Sequence, residues 1–207
     1  IAIFFNFGST GIIKDCIFTN NNNGAEGVIF SWGPYQLQNC VFNDNYNGNI
    51  IYHASSFDES PLINNCVFFN NHPGGNGNDA LIRTQMGTQL EISNSIIWNN
   101  DQDSLWFDQD SDPDASVTIS YSDVQFENQD GEGIINVDPL FVDPDNDDFN
   151  LTADSRCIDT GHPDSTDADG TITDMGAYYY DQAGQPVRVT NLVTTPSADN
   201  ISVKWNA

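Results

Sequence analysis

Residues 35–45 read YQLQNCVFNDN, and this stretch decides the fold because its pattern returns along the chain. GIIKDCIFTNN (11–21), PLINNCVFFNN (61–71) and LEISNSIIWNN (90–100) superimpose on it without gaps, and VTISYSDVQFE (117–127) fits more loosely. The shared pattern is apolar, any residue, Asn or Asp, Cys or Ser, two apolar residues, then Asn/Asp pairs. Counted at Cys16, Cys40, Cys66, Ser95 and Ser122, the repeat is 24 to 29 residues long. That period belongs to stacked solenoid units.

Strict strand alternation fails across the motif, since Leu37 and Asn39 share a parity while Cys40 and Phe42 have the other. The parity resets if Asn39 is a one-residue bend in the left-handed conformation, which Asn tolerates better than most residues. Ile13, Leu37, Ile63, Ile92 and Ile119 then point inward from one strand. Cys16, Cys40, Cys66 and Ser95 point inward from the next, followed by Phe18, Phe42, Phe68 and Ile97. A third strand lies upstream in each unit, at Val28–Trp32, Ile50–Ala54 and Leu81–Thr84. The predicted class is all-β: a right-handed parallel β-helix with three strands per coil. Coils stack about 4.8 Å apart, so Asp15, Asn39, Asn65 and Asn94 are expected to form a ladder bonded along the axis. A β-sandwich with Asn-rich turns does not require this motif to recur in register.

Composition agrees. The chain has 207 residues, 26 of them Asn, with 13 Phe, 4 Trp and 7 Tyr to build a core. Asn, Asp and Gly serve turns, which argues for many short strands. The formal net charge is -25, from 30 acidic and 5 basic side chains. Lys14, Arg83, Arg156, Arg188 and Lys204 are scattered, which excludes a nucleic-acid binder and disfavours an anionic membrane surface. No apolar run reaches the roughly 18–20 residues of a membrane helix. The opening at Ile1, inside an apolar strand-like run, reads as the interior of a longer precursor. Cys16, Cys40 and Cys66 occupy one column and read as small buried residues rather than disulfide partners. No Gly-rich phosphate loop or Ser-centred elbow is present.

INVDPLFVDPDNDDFNLTADSRCIDTG (135–161) and DADGTITDMGAYYYDQ (167–182) resemble the closing region of secreted bacterial β-helix proteins of the choice-of-anchor Q group. The chain departs from that group at Arg156-Cys157. The resemblance implies an extracellular or cell-surface location and a β-helix architecture, and is poor at specifying activity. PVRVTNLVTTPSADNISVKWNA (186–207) resembles the first two strands of a fibronectin type III domain through Pro186, Leu192 and Trp205. Such a domain needs about 100 residues to close. The expected organisation is coils over 1–135, a closing segment over 136–182, and a linker with the fibronectin-like start over 183–207.

Two candidate sites follow. On the first strand stack, Trp32, Tyr52 and Trp106 offer flat apolar area to sugar rings, with His53, Arg83 and Asp108 as candidate catalytic groups. Resemblance to β-helix polysaccharide lyases and hydrolases implies a cleft there, with a Lys or Arg base and Ca²⁺ in lyases or Asp pairs in hydrolases. Separately, Asp164, Asp167, Asp169 and Asp174 supply hard oxygen ligands suited to Ca²⁺. Asp167-Ala-Asp169-Gly170 resembles the centre of a calcium loop but fails the full EF-hand template. The alternative is that these residues cap their own turns. The expected role is an extracellular structural or glycan-contacting module. A polysaccharide lyase or glycoside hydrolase is the runner-up, and self-association through an open N-terminal coil is a third reading.

Overall fold

The structure is a computed structural model. It describes residues 3–6, 8–22, 27–46, 48–54, 61–74, 79–85, 87–101, 105–107, 116–125, 131–183, 190–196 and 201–206. The strands come in threes along the chain. The first coil has β1 (Ile3–Phe5), β2 (Gly11–Lys14) and β3 (Ile17–Thr19), and the second β4 (Ile29–Ser31), β5 (Tyr35–Gln38) and β6 (Val41–Asn43). Next come β7 (Ile51–Ala54), β8 (Leu62–Asn64) and β9 (Val67–Phe69), then β10 (Ile82–Gln85), β11 (Gln89–Ser93) and β12 (Ile96–Trp98). The last coil has β13 (Leu105–Phe107), β14 (Ser116–Ser120) and β15 (Asp123–Val124). Like strands pair in parallel, giving three five-stranded sheets: β1-β4-β7-β10-β13, β2-β5-β8-β11-β14 and β3-β6-β9-β12-β15. The chain is a parallel β-solenoid.

The one-residue bend is where the parity argument puts it. Asp15, Asn39, Asn65 and Asn94 have φ of 54°, 52°, 49° and 49°. Their inward neighbours make one continuous core. Leu37, Ile63, Cys40, Cys66, Phe42 and Phe68 are fully buried. Phe18, Phe42 and Phe68 stack with centroids 4.8 Å apart and interplanar angles of 8° and 4°. Each such pair adds about 0.5–1.5 kcal/mol beyond its buried area. All four cysteines are free thiols, and burial pushes the Cys66 and Cys157 thiols up, away from the reactive thiolate.

The expected ladder needs correction. Asn39 Nδ2 does donate to Asp15 Oδ1, at 3.0 Å. Asn65 Nδ2 instead donates to the carbonyls of Asp174 and Gly176, and Asn94 Nδ2 to Asn64 Oδ1. The physical reason is that a left-handed bend turns its side chain away from the core, where other segments compete for it. The continuous ladder is a different column: Asn21, Asn45, Asn71 and Asn100. Each Oδ1 from Asn45 onward accepts both the backbone N–H and the Nδ2 of the Asn one coil earlier, at 2.8–3.2 Å. Asn45, Asn71 and Asn100 also donate Nδ2 to the carbonyls of Phe18, Phe42 and Phe68. A second set of bends precedes this column, at Asn20, Asp44, Asn70 and Asn99, with φ of 50–58°.

Residues 131–137 return against the last coil. Tyr121 N–H donates to Glu132 O, Ile135 N–H to Ser122 O and Val124 N–H to Ile135 O. The chain from there to Tyr180 does not simply cover the end of the solenoid. It runs back along the outer face of the third sheet, where Val41, Val67 and Ile96 form a second core with Phe149, Leu151, Cys157, Ile158 and Met175. Asn43 Nδ2 bonds Asp147 Oδ1 at 2.8 Å, and His162 N–H bonds Asn94 Oδ1 at 2.7 Å. This segment contains one hairpin, β16 (Phe141–Asp143) with β17 (Asp148–Leu151). Farther on, β18 (Thr190–Pro196) and β19 (Ile201–Asn206) pair antiparallel.

Candidate functional site

On the first sheet, alternate residues face out. Register aligns Phe4, Phe30, Tyr52 and Arg83 in one outward column, one residue per coil, and the Trp106 backbone pairs beside Arg83. Phe4 and Phe30 stack at 5.4 Å, and Phe30 and Tyr52 lie 5.0 Å apart at 30°. Trp32 stands edge-on to both Phe4 and Phe30, at 5.5 and 5.4 Å. The Arg83 guanidinium carbon sits 4.7 Å above the Tyr52 ring. That contact is a cation–π pair, which fixes a positive charge on an otherwise acidic molecule. The Tyr52 hydroxyl donates to Gln85 Oε1. The result is an aromatic stripe along the solenoid axis with a cation set into it.

Trp32, Tyr52 and Arg83 therefore share one surface, and the backbone of Trp106 continues their column. Asp108 lies outside the described residues. His53 is not on this surface. Its neighbours in register are Ser31 and Thr84, and all three point into the bore. His53 is 1% exposed, and burial pushes its imidazole down to about 4. The expectation that His53 and Arg83 reach one sugar is corrected: they stand on opposite faces of the sheet, because adjacent-parity residues of a strand must. Sequence reasoning missed Phe4 and Phe30. The signal was present, since the segments IFF, IFS, IYH and IRT align with their middle residues outward.

Of the four carboxylates considered for calcium, those of Asp167, Asp169 and Asp174 are engaged with the chain itself. Asp167 accepts the Asp174 N–H and the Thr173 hydroxyl. Asp169 accepts the Thr171 N–H and hydroxyl on one oxygen and the Gln182 N–H on the other. These bonds hold the Asp169 carboxyl low. Asp174 accepts the Asp159 and Tyr180 N–H groups at 2.8 and 2.6 Å, and burial pushes its carboxyl up to about 7. Asp164 is exposed, and its N–H donates to His162 Nδ1. Among the described residues, no three His, Cys, Asp or Glu side chains gather into a metal-binding group. Through these bonds Asp167, Asp169 and Asp174 clamp their own turns.

Comparison with protein-family models, with curated proteins and with solved structures found no match.

Proposed function

We propose that this chain is an extracellular β-solenoid module whose first sheet contacts glycans through its outward column. The supporting observation is the stack Phe4–Phe30–Tyr52 with Trp32 beside it and Arg83 on Tyr52. Flat, rigid rings give apolar area to a pyranose face at little entropic cost. Phe4 is 47% exposed and Trp32 and Tyr52 are half-buried, with Phe30 buried between them; an outward aromatic row of this kind on a strongly charged protein suits a contact surface. We read residues 136–182 as the closing element of a choice-of-anchor Q-like solenoid and 186–207 as a fibronectin-like start, on the residues quoted above. The β18–β19 hairpin suits that start.

Titration calorimetry against neutral and uronic-acid oligosaccharides tests the reading. Tyr52→Ala and Trp32→Ala are each expected to weaken binding about tenfold, which is about 1.4 kcal/mol. Thr118→Ala, on the outer face of the second sheet, is expected to leave it unchanged. Equal binding by all three variants and the parent chain would remove the stripe from the account.

A further inference from the structure

We propose that the bore of the solenoid holds one ordered water molecule, bound by His53 Nδ1 and shared with the hydroxyls of Tyr35 and Thr84. Ser31, His53 and Thr84 form one inward column on the first sheet. Ser31 satisfies itself within its own turn. Its hydroxyl donates to Gly33 O and accepts the Gly33 N–H at 3.1 Å. The next two rungs differ. His53 Nδ1 and Thr84 Oγ1 are sealed from solvent and no protein group bonds to either. The Tyr35 hydroxyl is in the same condition, and its ring lies 5.7 Å from the imidazole at 58°. His53 is the common neighbour of the other two.

Buried polar atoms almost always have a partner, because each gave up its bonds to bulk water on folding. Three such atoms around one residue point to a partner they share. Their chemistry selects it. Burial keeps the imidazole neutral and raises the Tyr35 hydroxyl, so both stay uncharged at neutral pH. The surrounding core is apolar, with Ile51, Ile82, Leu37 and Ile63, and the neutral Cys66 thiol lies near Tyr35. A cation would meet no carboxylate there, and an anion no charged donor. A water, with two donors and two acceptor sites, matches two hydroxyls and an imidazole nitrogen.

Tyr35→Phe and Thr84→Val each remove one hydroxyl with little change of shape. A shared water predicts that each lowers Tm, and that the double variant loses less than the sum. If both single variants raise Tm and the gains add, the hydroxyls bind nothing and the proposal fails. A crystal structure of the unaltered chain gives the second reading. The expected feature is a water within about 2.6–3.2 Å of His53 Nδ1 and both hydroxyls. A direct Tyr35–His53 hydrogen bond with no water between them would overturn the assignment.

Discussion

Asn39 and Asn45 are one residue type in one coil, used in two ways. At Asn39 the backbone matters: its φ of 52° turns the chain between two strands. At Asn45 the side chain matters, since it links the coils before and after it. Glycine replaces the first use but not the second. Asn39→Gly is expected to shift stability by less than about 1 kcal/mol. Asn71→Ala strands the Asn45 amide, the Phe42 carbonyl and part of the bonding of Asn100. At about 1–3 kcal/mol per buried unsatisfied group, it is expected to destabilise by about 3–5 kcal/mol in urea unfolding. The bend was legible because left-handed preference is local to a residue. The ladder was not, because a run such as Asn43-Asp44-Asn45 does not announce which member faces in. Tyr121 breaks the bend rule at φ 46°. Its ring lies against Gly133 and 4.7 Å from His162, so it holds the returning chain where earlier coils need only a turn.

Among the elements, the returning segment 138–180 is the least expected. Its own composition suggested acidic turns at the end of a solenoid. Its apolar residues instead cover the third sheet, through Phe149 and Phe141 against Phe69. Contacts that span more than a hundred residues, such as Asn65 to Asp174, leave no trace in local pattern. Two buried carboxylates sit in this interface. Asp123 accepts the Val137 N–H and the Cys157 thiol, and burial pushes it up to about 6. Asp174 is pushed up to about 7. A carboxyl raised on folding binds its proton more tightly in the native state than in the unfolded one. Its contribution to stability is full below the unfolded value near 3.9 and is lost as pH rises through the folded value. Tm is therefore expected to fall between pH 5 and pH 8. Asp123→Asn, which keeps an acceptor for Val137, is expected to remove part of that slope, on the order of 3 kcal/mol at most. An unchanged slope in this variant would assign the pH dependence elsewhere.

At the scale of the molecule, the two ends of the solenoid differ. Residues 131–137 pair with the last coil, while β1, β2 and β3 are the edge strands of their sheets at the other end. An edge strand offers backbone groups for pairing, and a net charge of -25 opposes that pairing between copies of this chain. Screening that charge with salt is expected to raise the sedimentation coefficient at high protein concentration, and Ile3→Lys on β1 to prevent the rise. A monomer in every buffer would exclude edge pairing. The repeat, the bend and the inward columns were readable because a solenoid repeats its contacts at nearest-neighbour distance. The stripe was half readable: Trp32 and Tyr52 are conspicuous residue types, whereas Phe4 and Phe30 join it only through the register that sets them on the outward face of the sheet.

The Asn ladder also acts as a measuring device. Its successive rungs join residues 24, 26 and 29 positions apart, yet the bonds keep the same atoms and nearly the same lengths. Gln36, Leu62 and Glu91 stand in register and lead into the ladder at one common spacing, so the differences in length fall upstream of them. Chain length within a rung is thus uncoupled from rung height. Duplicating or deleting one whole unit changes the ladder by one step of about 4.8 Å and keeps its rung chemistry, but it shifts the returning segment, which bonds to Asn43, Asn65 and Asn94 in three successive coils, out of register with the third sheet. A whole-unit change therefore preserves the ladder and leaves only the returning segment to be refitted, whereas loss of a single residue inside the Asn–Cys–apolar motif would shift one face out of phase with both neighbours.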